Sequence, residues 1–299
     1  MTDKPGGAFD DHRNLLFSVA YRILGVAADA EDVVQDSWLK WSAADRSQVA
    51  DPKSYLVRIV TNLAMDRLRS AQVRRETYVG PWLPEPILTS TDTAEDVATA
   101  EAVSMGLLVV LETLTPLERA VFVLKEAFGF SHAEIAQAVD RSEESVRQAA
   151  HRAREHVRAR RPRFKTDRTR QRAVTERFLA AATGGDINTL MQLLAPDVTL
   201  WTDGGGKVRQ AIRPIIGAQR VAAWFAGVAV RPYEGIAPVD MAVEMVELNG
   251  QVGLVFSDGG RIVATVTFDL NDDGVITGIH DVANPDKLRA VAARTIHHL

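Results

Sequence analysis

The chain has 299 residues, no cysteine, 46% hydrophobic and 25% charged residues, and a formal charge of −4 from 35 Lys and Arg against 39 Asp and Glu. That length accommodates two or three separate cores with the balance of a globular protein, and the missing cysteine excludes a disulfide framework and a cysteine-ligated zinc finger. The polar start, MTDKPGGAFDDHR, lacks the apolar stretch of a secretory signal, and no apolar run reaches the roughly 18 residues of a membrane span, so a cytoplasmic setting away from membranes is expected.

From Phe9 to Leu24, the residues Leu15, Leu16, Val19, Ala20 and Ile23 fall on one helical face, and Gly25 ends that helix. In DAEDVVQDSWLKW, Asp29 reads as an N-cap, with Glu31 and Asp32 in the first turn, where the helix dipole favours acids. Val33, Val34, Ser37, Trp38 and Trp41 form the buried stripe, which leaves Asp29, Glu31, Asp32, Gln35 and Asp36 outward. Four acids and no base between Asp29 and Asp36 make a face that either solvates the helix or docks a basic partner. Asp51-Pro52 opens the next helix with proline in its tolerated first position. Tyr55, Leu56, Ile59, Val60, Leu63, Ala64 and Leu68 bury one side of it, while six bases stand against one acid between Lys53 and Arg75. Arg58, Asn62 and Arg69 share its outward face.

From Glu76 to about Ala100, Pro81, Pro84, Pro86 and a run of Thr, Ser and Asp read as a linker. Within it, Trp82-Leu83-Pro84-Glu85-Pro86 is too apolar for a free tether: it forms either a small local cluster or a docking point for another part of the chain, and docking is the reading favoured. Leu114 to Arg158 reads as a helix-turn-helix. Ser131 and Glu134 have the spacing of a reciprocal capping box, and Ile135, Ala136 and Val139 face a core. Asp140-Arg141-Ser142 breaks the helix. Ser142 caps a second one that turns Val146, Ala150 and Ala153 inward and Arg147, Gln148, His151 and Arg152 outward, as a groove-reading helix requires. Between Arg141 and Arg172 there are 12 Lys and Arg against 4 Asp and Glu, so phosphate binding is legible in the distribution of charge although the total is acidic.

After Arg161-Pro162 a new unit begins near Arg168. Val174, Phe178, Leu179 and Ala182 mark one helix, and Asp186 caps another that carries Ile187, Leu190, Leu193 and Leu194. The apolar period then changes to two. Val198 and Leu200 with the Asp203-Gly204-Gly205-Gly206 turn predict a short hairpin, and a helix follows around Ala218–Phe225. Asn249-Gly250, Gly259-Gly260 and Asp273-Gly274 punctuate strands between Met241 and Val282 and predict a curved antiparallel meander. Asp203, Asp258, His280 and Asp281 are its candidate acid or base groups, but turn carboxylates and a lone histidine are usually structural.

DAEDVVQDSWLKW followed by DPKSYLVRIVTNLAMDRLRS resembles region 2 of an extracytoplasmic-function (ECF) sigma factor. LTPLERAVFVL, EIAQAV and HRAR resemble its region 4. LLAPDVTLWTDGGGK resembles the SnoaL-like branch of the NTF2-like cone fold, and the three together resemble the SigJ-type subgroup of ECF sigma factors. The implied fold is multidomain: two all-α sigma domains, a helical bundle and a helix-turn-helix, plus an α+β cone domain with a curved antiparallel sheet. The boundaries run 1–75 for region 2, 76–104 for the linker, 105–163 for region 4, 164–283 for the cone domain and 284–299 for the tail.

The resemblance implies roles as well. Asp29, Glu31, Asp32, Gln35 and Asp36 would dock on core RNA polymerase. Asn62, Asp66, Arg67 and Arg69 would recognise and open the −10 promoter element. Ser145, Arg147, Gln148, His151 and Arg152 would read the −35 element, where a bidentate Arg or Gln contact to a base edge is worth roughly 1–3 kcal/mol. A linker of about 25 residues reaches about 80–90 Å when extended, enough for elements about 16 base pairs, or roughly 55 Å, apart. Trp82 to Pro86 in the linker, Asp203-Gly204-Gly205-Gly206-Lys207 in the cone domain and Asn284-Pro285-Asp286-Lys287-Leu288 near the end would let the cone domain regulate the factor in cis, with Trp82 packing near the Gly-rich turn. The partners expected are core polymerase and promoter DNA, with no cofactor or metal and a cone cavity open to a small molecule. A stand-alone helix-turn-helix regulator, or an enzyme fused to a DNA-binding module, is the alternative.

Overall fold

The structure, a computed structural model, describes residues 6–45, 47, 49–90, 103–160 and 167–297. The Thr, Ser and Asp run of the linker and the Arg161-Pro162 junction lie outside the described residues. Helices α1 (Gly6–Asp10), α2 (Arg13–Leu24), α3 (Ala27–Ala43) and α4 (Pro52–Arg75) form the first unit. Gly25 ends α2 in the left-handed region and returns its amide to the Tyr21 carbonyl. Asp51 caps α4 as expected, accepting from the Lys53 and Ser54 amides. Asp29, in contrast, is not the N-cap of α3: the helix starts one turn earlier, after Val26, whose side chain makes no cap. The missing acceptor comes from elsewhere in the chain, as shown below.

Helices α5 (Met105–Leu111), α6 (Pro116–Phe122), α7 (His132–Val139) and α8 (Glu143–Arg160) form the second unit, and a single π turn at Val123–Ala127 extends α6. Both Thr115 with Glu118 and Ser131 with Glu134 form capping boxes, so the amide donors at the starts of α6 and α7 are satisfied reciprocally. Asp140 takes the left-handed turn position at φ 53°, a conformation open to a short polar side chain. The two units share one apolar core, in which Leu16, Leu24, Val60 and Leu68 join Leu108, Val121, Leu124 and Ile135. Regions expected as separate domains are therefore packed as one body.

The third unit places α9 (Arg168–Thr183), α10 (Ile187–Leu193) and α11 (Ala218–Ala229) on a curved sheet of β2 (Leu194–Asp203), β3 (Ile215–Ile216), β4 (Ala242–Leu248), β5 (Gln251–Asp258), β6 (Arg261–Leu270) and β7 (Ile276–Val282). Phe178, Leu200, Val221, Leu254, Phe268 and Ile279 fill its core. The Asn249-Gly250 turn joins β4 to β5 with both residues at positive φ, as a primed hairpin turn demands. The linker contributes β1 (Leu88–Thr89) and the tail β8 (Ile296–His297), giving the order β3-β2-β7-β6-β5-β4-β1-β8. The expected antiparallel meander forms from β4 to β7, while the full sheet is mixed, because β2 lies parallel to β7 and β1 parallel to β8. The first exception arises where β2 is laid on the β7 edge of the meander, and the second where the tail strand β8 is laid on β1, itself antiparallel to β4. The expected hairpin at Asp203 is corrected too: β2 pairs with β3 only through Thr199 and Leu200, and the Gly-rich turn opens a longer loop.

Candidate functional site

The acid face of α3 and the basic helix α4 lie side by side. Arg67, expected at the promoter, here pairs with α3, at 2.8 Å from Asp29 and 2.6 Å from Asp32. Arg13 pairs with Glu31 at 2.9 Å, while Gln35 and Asp36 stay exposed. Asp66 and Arg69 pair with each other on the exposed side of α4. Exposed pairs of this kind are worth about 0–1 kcal/mol and yield readily to a stronger partner. Asn62 is half-buried, and its amide donates to the Arg58 carbonyl and, at 2.8 Å, to the carbonyl of Ala138 in α7. The helix expected at the −10 element is thus bonded to the helix-turn-helix.

In α8, Val146, Ala149, Ala150 and Ala153 are buried against the core, which leaves Arg147, Gln148, His151 and Arg152 exposed and Ser145 half-buried. Arg147 is held by Glu143 one turn away, and Arg152 by Glu118 of α6, each at 2.7 Å. This face of α8 is accessible, and its ion pairs cost little to break.

The three motifs of the linker, cone domain and tail converge on one carboxylate. Asp203, fully buried at the end of β2, accepts from the Tyr78 hydroxyl at 2.5 Å and the Gly205 amide at 3.1 Å on one oxygen. Its other oxygen accepts from the Leu83 amide at 2.8 Å and the Lys287 ammonium at 2.6 Å. Lys287 also donates to the Leu83 carbonyl, and burial pulls its ammonium down to about 8 although Asp203 opposes the shift. Asn284 bonds the Tyr78 hydroxyl at 2.7 Å and caps the turn containing Pro285 through the Asp286 amide, and Asp286 pairs with Lys207 at 2.5 Å. Leu288 packs with Leu83, Met105 and Val282. Gly205 is both left-handed, at φ 59°, and so closely covered by Asn284 and Tyr78 that no side chain fits there. Trp82 does not lie on the Gly-rich turn itself. Its ring stands between the Arg75 guanidinium, 3.6 Å from its centre, and the Lys287 ammonium, at 4.0 Å, while Tyr78 and Val79 meet the turn.

A second buried network ties the linker to both neighbours. Glu85 accepts the Ala27 amide at 2.7 Å, so a linker carboxylate supplies the cap that α3 lacks. Burial pushes this carboxyl above its usual range, against the pull of the Ala27 and Ala28 amides. Tyr21 of α2 donates to the Glu85 carbonyl at 2.6 Å and accepts from the Asn249 side chain at 2.6 Å, while Asn249 exchanges bonds with the Ile87 backbone. Pro84 and Pro86 are buried between these contacts. Asn249→Gly keeps the left-handed turn but removes the side chain. It is expected to lower stability by about 1–3 kcal/mol in a denaturant melt, because the Tyr21 hydroxyl and the Ile87 amide lose partners while buried.

Tyr78, Tyr21 and Asn249 carry these junctions and were not singled out from sequence; Asn249 signalled only a hairpin, and the tyrosines gave no periodic signal. The four candidate acid or base groups do not converge. Asp203 is engaged with Lys287, Asp258 pairs at long range with Arg261, and His280 stacks on Trp201 with ring centres 5.1 Å apart. Asp281 lines the cone cavity. Among the described residues no helix is long and apolar enough to cross a membrane.

Residues 8–74 match the family model of sigma-70 region 2, and residues 104–157 that of sigma-70 region 4. These define a protein of the sigma-70 class, which acts in transcription initiation and binds DNA through the region 4 helix-turn-helix. The chain is 38% identical over 289 residues, 93% of its length and 91% of the relative's, to the ECF RNA polymerase sigma factor SigJ of Mycobacterium tuberculosis (strain ATCC 25618 / H37Rv). It is 32% identical over 222 residues, 73% of its length and 75% of the relative's, to the probable ECF RNA polymerase sigma factor SigI of Mycobacterium tuberculosis (strain CDC 1551 / Oshkosh). The crystal structure of Mycobacterium tuberculosis SigJ superimposes with a TM-score of 0.75 at 35% identity, covering 94% of this chain and 97% of that one. The chain belongs to the ECF family of RNA polymerase sigma factors, which are specificity subunits and not enzymes, and it carries an α+β domain beyond regions 2 and 4.

Proposed function

We propose that the C-terminal domain regulates this sigma factor in cis by holding regions 2 and 4 closed on each other, and that initiation requires their release. The observation that carries this reading is the 2.8 Å bond from Asn62 to the Ala138 carbonyl. Promoter elements about 16 base pairs apart lie roughly 55 Å from each other, whereas the 18 residues of α8 span only about 27 Å at 1.5 Å each. A −10 surface bonded to the helix before α8 cannot occupy its element while α8 occupies the −35 element. The Asp203 junction supports the same reading, since it fastens linker, cone domain and tail at a point where both helical units meet.

In the released form, Asp29, Glu31, Asp32, Gln35 and Asp36 dock on core polymerase, with Arg67 exchanged for partner charges. Asn62, Asp66 and Arg69 face the −10 element, and Ser145, Arg147, Gln148, His151 and Arg152 face the −35 element. The test is specific initiation with core polymerase, comparing the full chain with a form ending at Asp281, which lacks Asn284, Lys287 and β8. The shortened form is expected to initiate more at equal concentration. Equal output from the two forms overturns the cis-regulatory reading and leaves the sigma-factor assignment intact.

A further inference from the structure

Between α9, α11 and the concave face of the sheet lies a cavity of about 390 Å³. Its wall is aromatic and aliphatic, with Phe178, Trp224, Phe225 and Phe256 prominent. The rim is open to solvent and mainly apolar, with Val239 90% and Val228 41% exposed, and it also carries the exposed Thr183 and Arg231. At one end of this wall three polar side chains meet. The Gln210 amide donates to Asp281 at 3.2 Å and to the Tyr233 hydroxyl at 3.3 Å. The second Asp281 oxygen and the Gln210 carbonyl oxygen are buried and without a hydrogen-bond partner among the described residues.

An unmet buried acceptor costs about 1–3 kcal/mol, and two such acceptors stand at the polar end of an apolar cavity. The volume lies within the range of small-molecule sites, roughly 300–1,000 Å³, which combine an apolar wall with a few convergent polar groups. The chemistry of the polar end selects among ligands. Burial pushes the Asp281 carboxyl up to about 7, so both of its protonation states are present near neutrality. A hydroxyl can donate to the carboxylate or accept from the acid, whereas an ammonium suits only the ionised form and an anion is repelled by it.

We propose that this cavity binds a neutral, mainly apolar alcohol or phenol, with its hydroxyl between Asp281 and Gln210. The position bears on regulation. Asp281 pairs in register with Thr202, the neighbour of Asp203, whose carbonyl accepts the Ala283 and Asn284 amides, and Gln210 packs on Gly204 of the Gly-rich turn. That consequence rests on the cis-regulatory reading; binding itself does not.

Calorimetry on the full chain separates the two questions, because it reads binding without transcription. The probes are 1-naphthol and naphthalene, which share an apolar body and differ by the hydroxyl. 1-Naphthol is expected to bind at a single site, and naphthalene about tenfold more weakly, the worth of about 1.4 kcal/mol. Asp281→Leu should bring 1-naphthol down to the affinity of naphthalene, and Gln210→Leu tests the same point should Asp281→Leu fail to fold. Ala182→Phe, which fills the cavity from α9 away from the polar end, should abolish binding of both. Equal affinities for the two probes, 1-naphthol binding that survives Ala182→Phe, or no heat of binding up to its solubility limit would each overturn the proposal.

Discussion

Asp203→Asn is expected to raise specific initiation at limiting sigma factor while lowering the thermal stability of the full chain. The aspartate has no spare capacity, since its two oxygens take the Tyr78 hydroxyl, the Gly205 and Leu83 amides and the Lys287 ammonium. Asparagine is nearly isosteric but carries no charge and turns one acceptor into a donor, which faces either Tyr78 and Gly205 or Leu83 and Lys287. Lys287, 8% exposed, loses the counter-ion that holds its proton against burial, and either stays an unpaired buried cation or becomes a neutral amine. Removing one partner of such a pair costs about 3–5 kcal/mol, which is about two to three and a half powers of ten in the ratio of locked to released chain at about 1.4 kcal/mol per tenfold. Lys287→Met alone should act in the same direction, and the double variant should recover much of the stability, because the uncompensated charge is gone. Should initiation stay at the wild-type level in all three while stability falls, Asp203 serves only to build the cone domain.

The parts of this molecule that depend on near neighbours were readable in the chain. Ser131 and Glu134 are three residues apart, and the helix between them and Asp140 forms as their spacing requires. The inward Val146, Ala150 and Ala153 and the outward Arg147, Gln148, His151 and Arg152 follow from the same period. Asn249-Gly250 turns β4 into β5. Junctions between distant segments carry no period. Asp203 and Lys287 are 84 residues apart, Tyr78 and Asn284 are 206 apart, and only family resemblance linked Asp203 to Asn284 and Lys287. Tyr78 belongs to no motif that was read, yet it closes the contact. The misplaced cap of α3 has the same origin: local rules chose Asp29, and a carboxylate 58 residues downstream of Ala27 took the position. The parallel pairing of β2 with β7 is likewise decided by which edge of the meander stays open, a property of the assembled sheet.

Glu112→Gln is expected to be among the most destabilising single changes in the helical half. Glu112 follows α5, and its two oxygens receive Arg75 from the end of α4 and Arg119 from α6. Arg119 is fully buried and also donates to the Arg22 carbonyl at 3.1 Å, while Arg75 donates to the Leu24 carbonyl at 2.9 Å and stacks on Trp82. Gly25 lies against the same cluster, where any side chain would press on Glu112, Arg119 and Trp82. One carboxylate therefore pairs with two guanidiniums where region 2, region 4 and the linker touch. Arginine does not shed its proton to escape burial, so the charge remains when the glutamate is lost. A cost of about 3–5 kcal/mol follows, and at about 2–4 °C per kcal/mol for a large domain the melting temperature should fall by on the order of 10 °C. Arg152→Ala supplies the contrast. Its pair with Glu118 is a surface one, with Arg152 57% exposed, and it should cost no more than about 1 kcal/mol while weakening promoter binding. If the two variants melt alike, the buried arginines find other partners, and the closed arrangement of regions 2 and 4 is held by their apolar core alone.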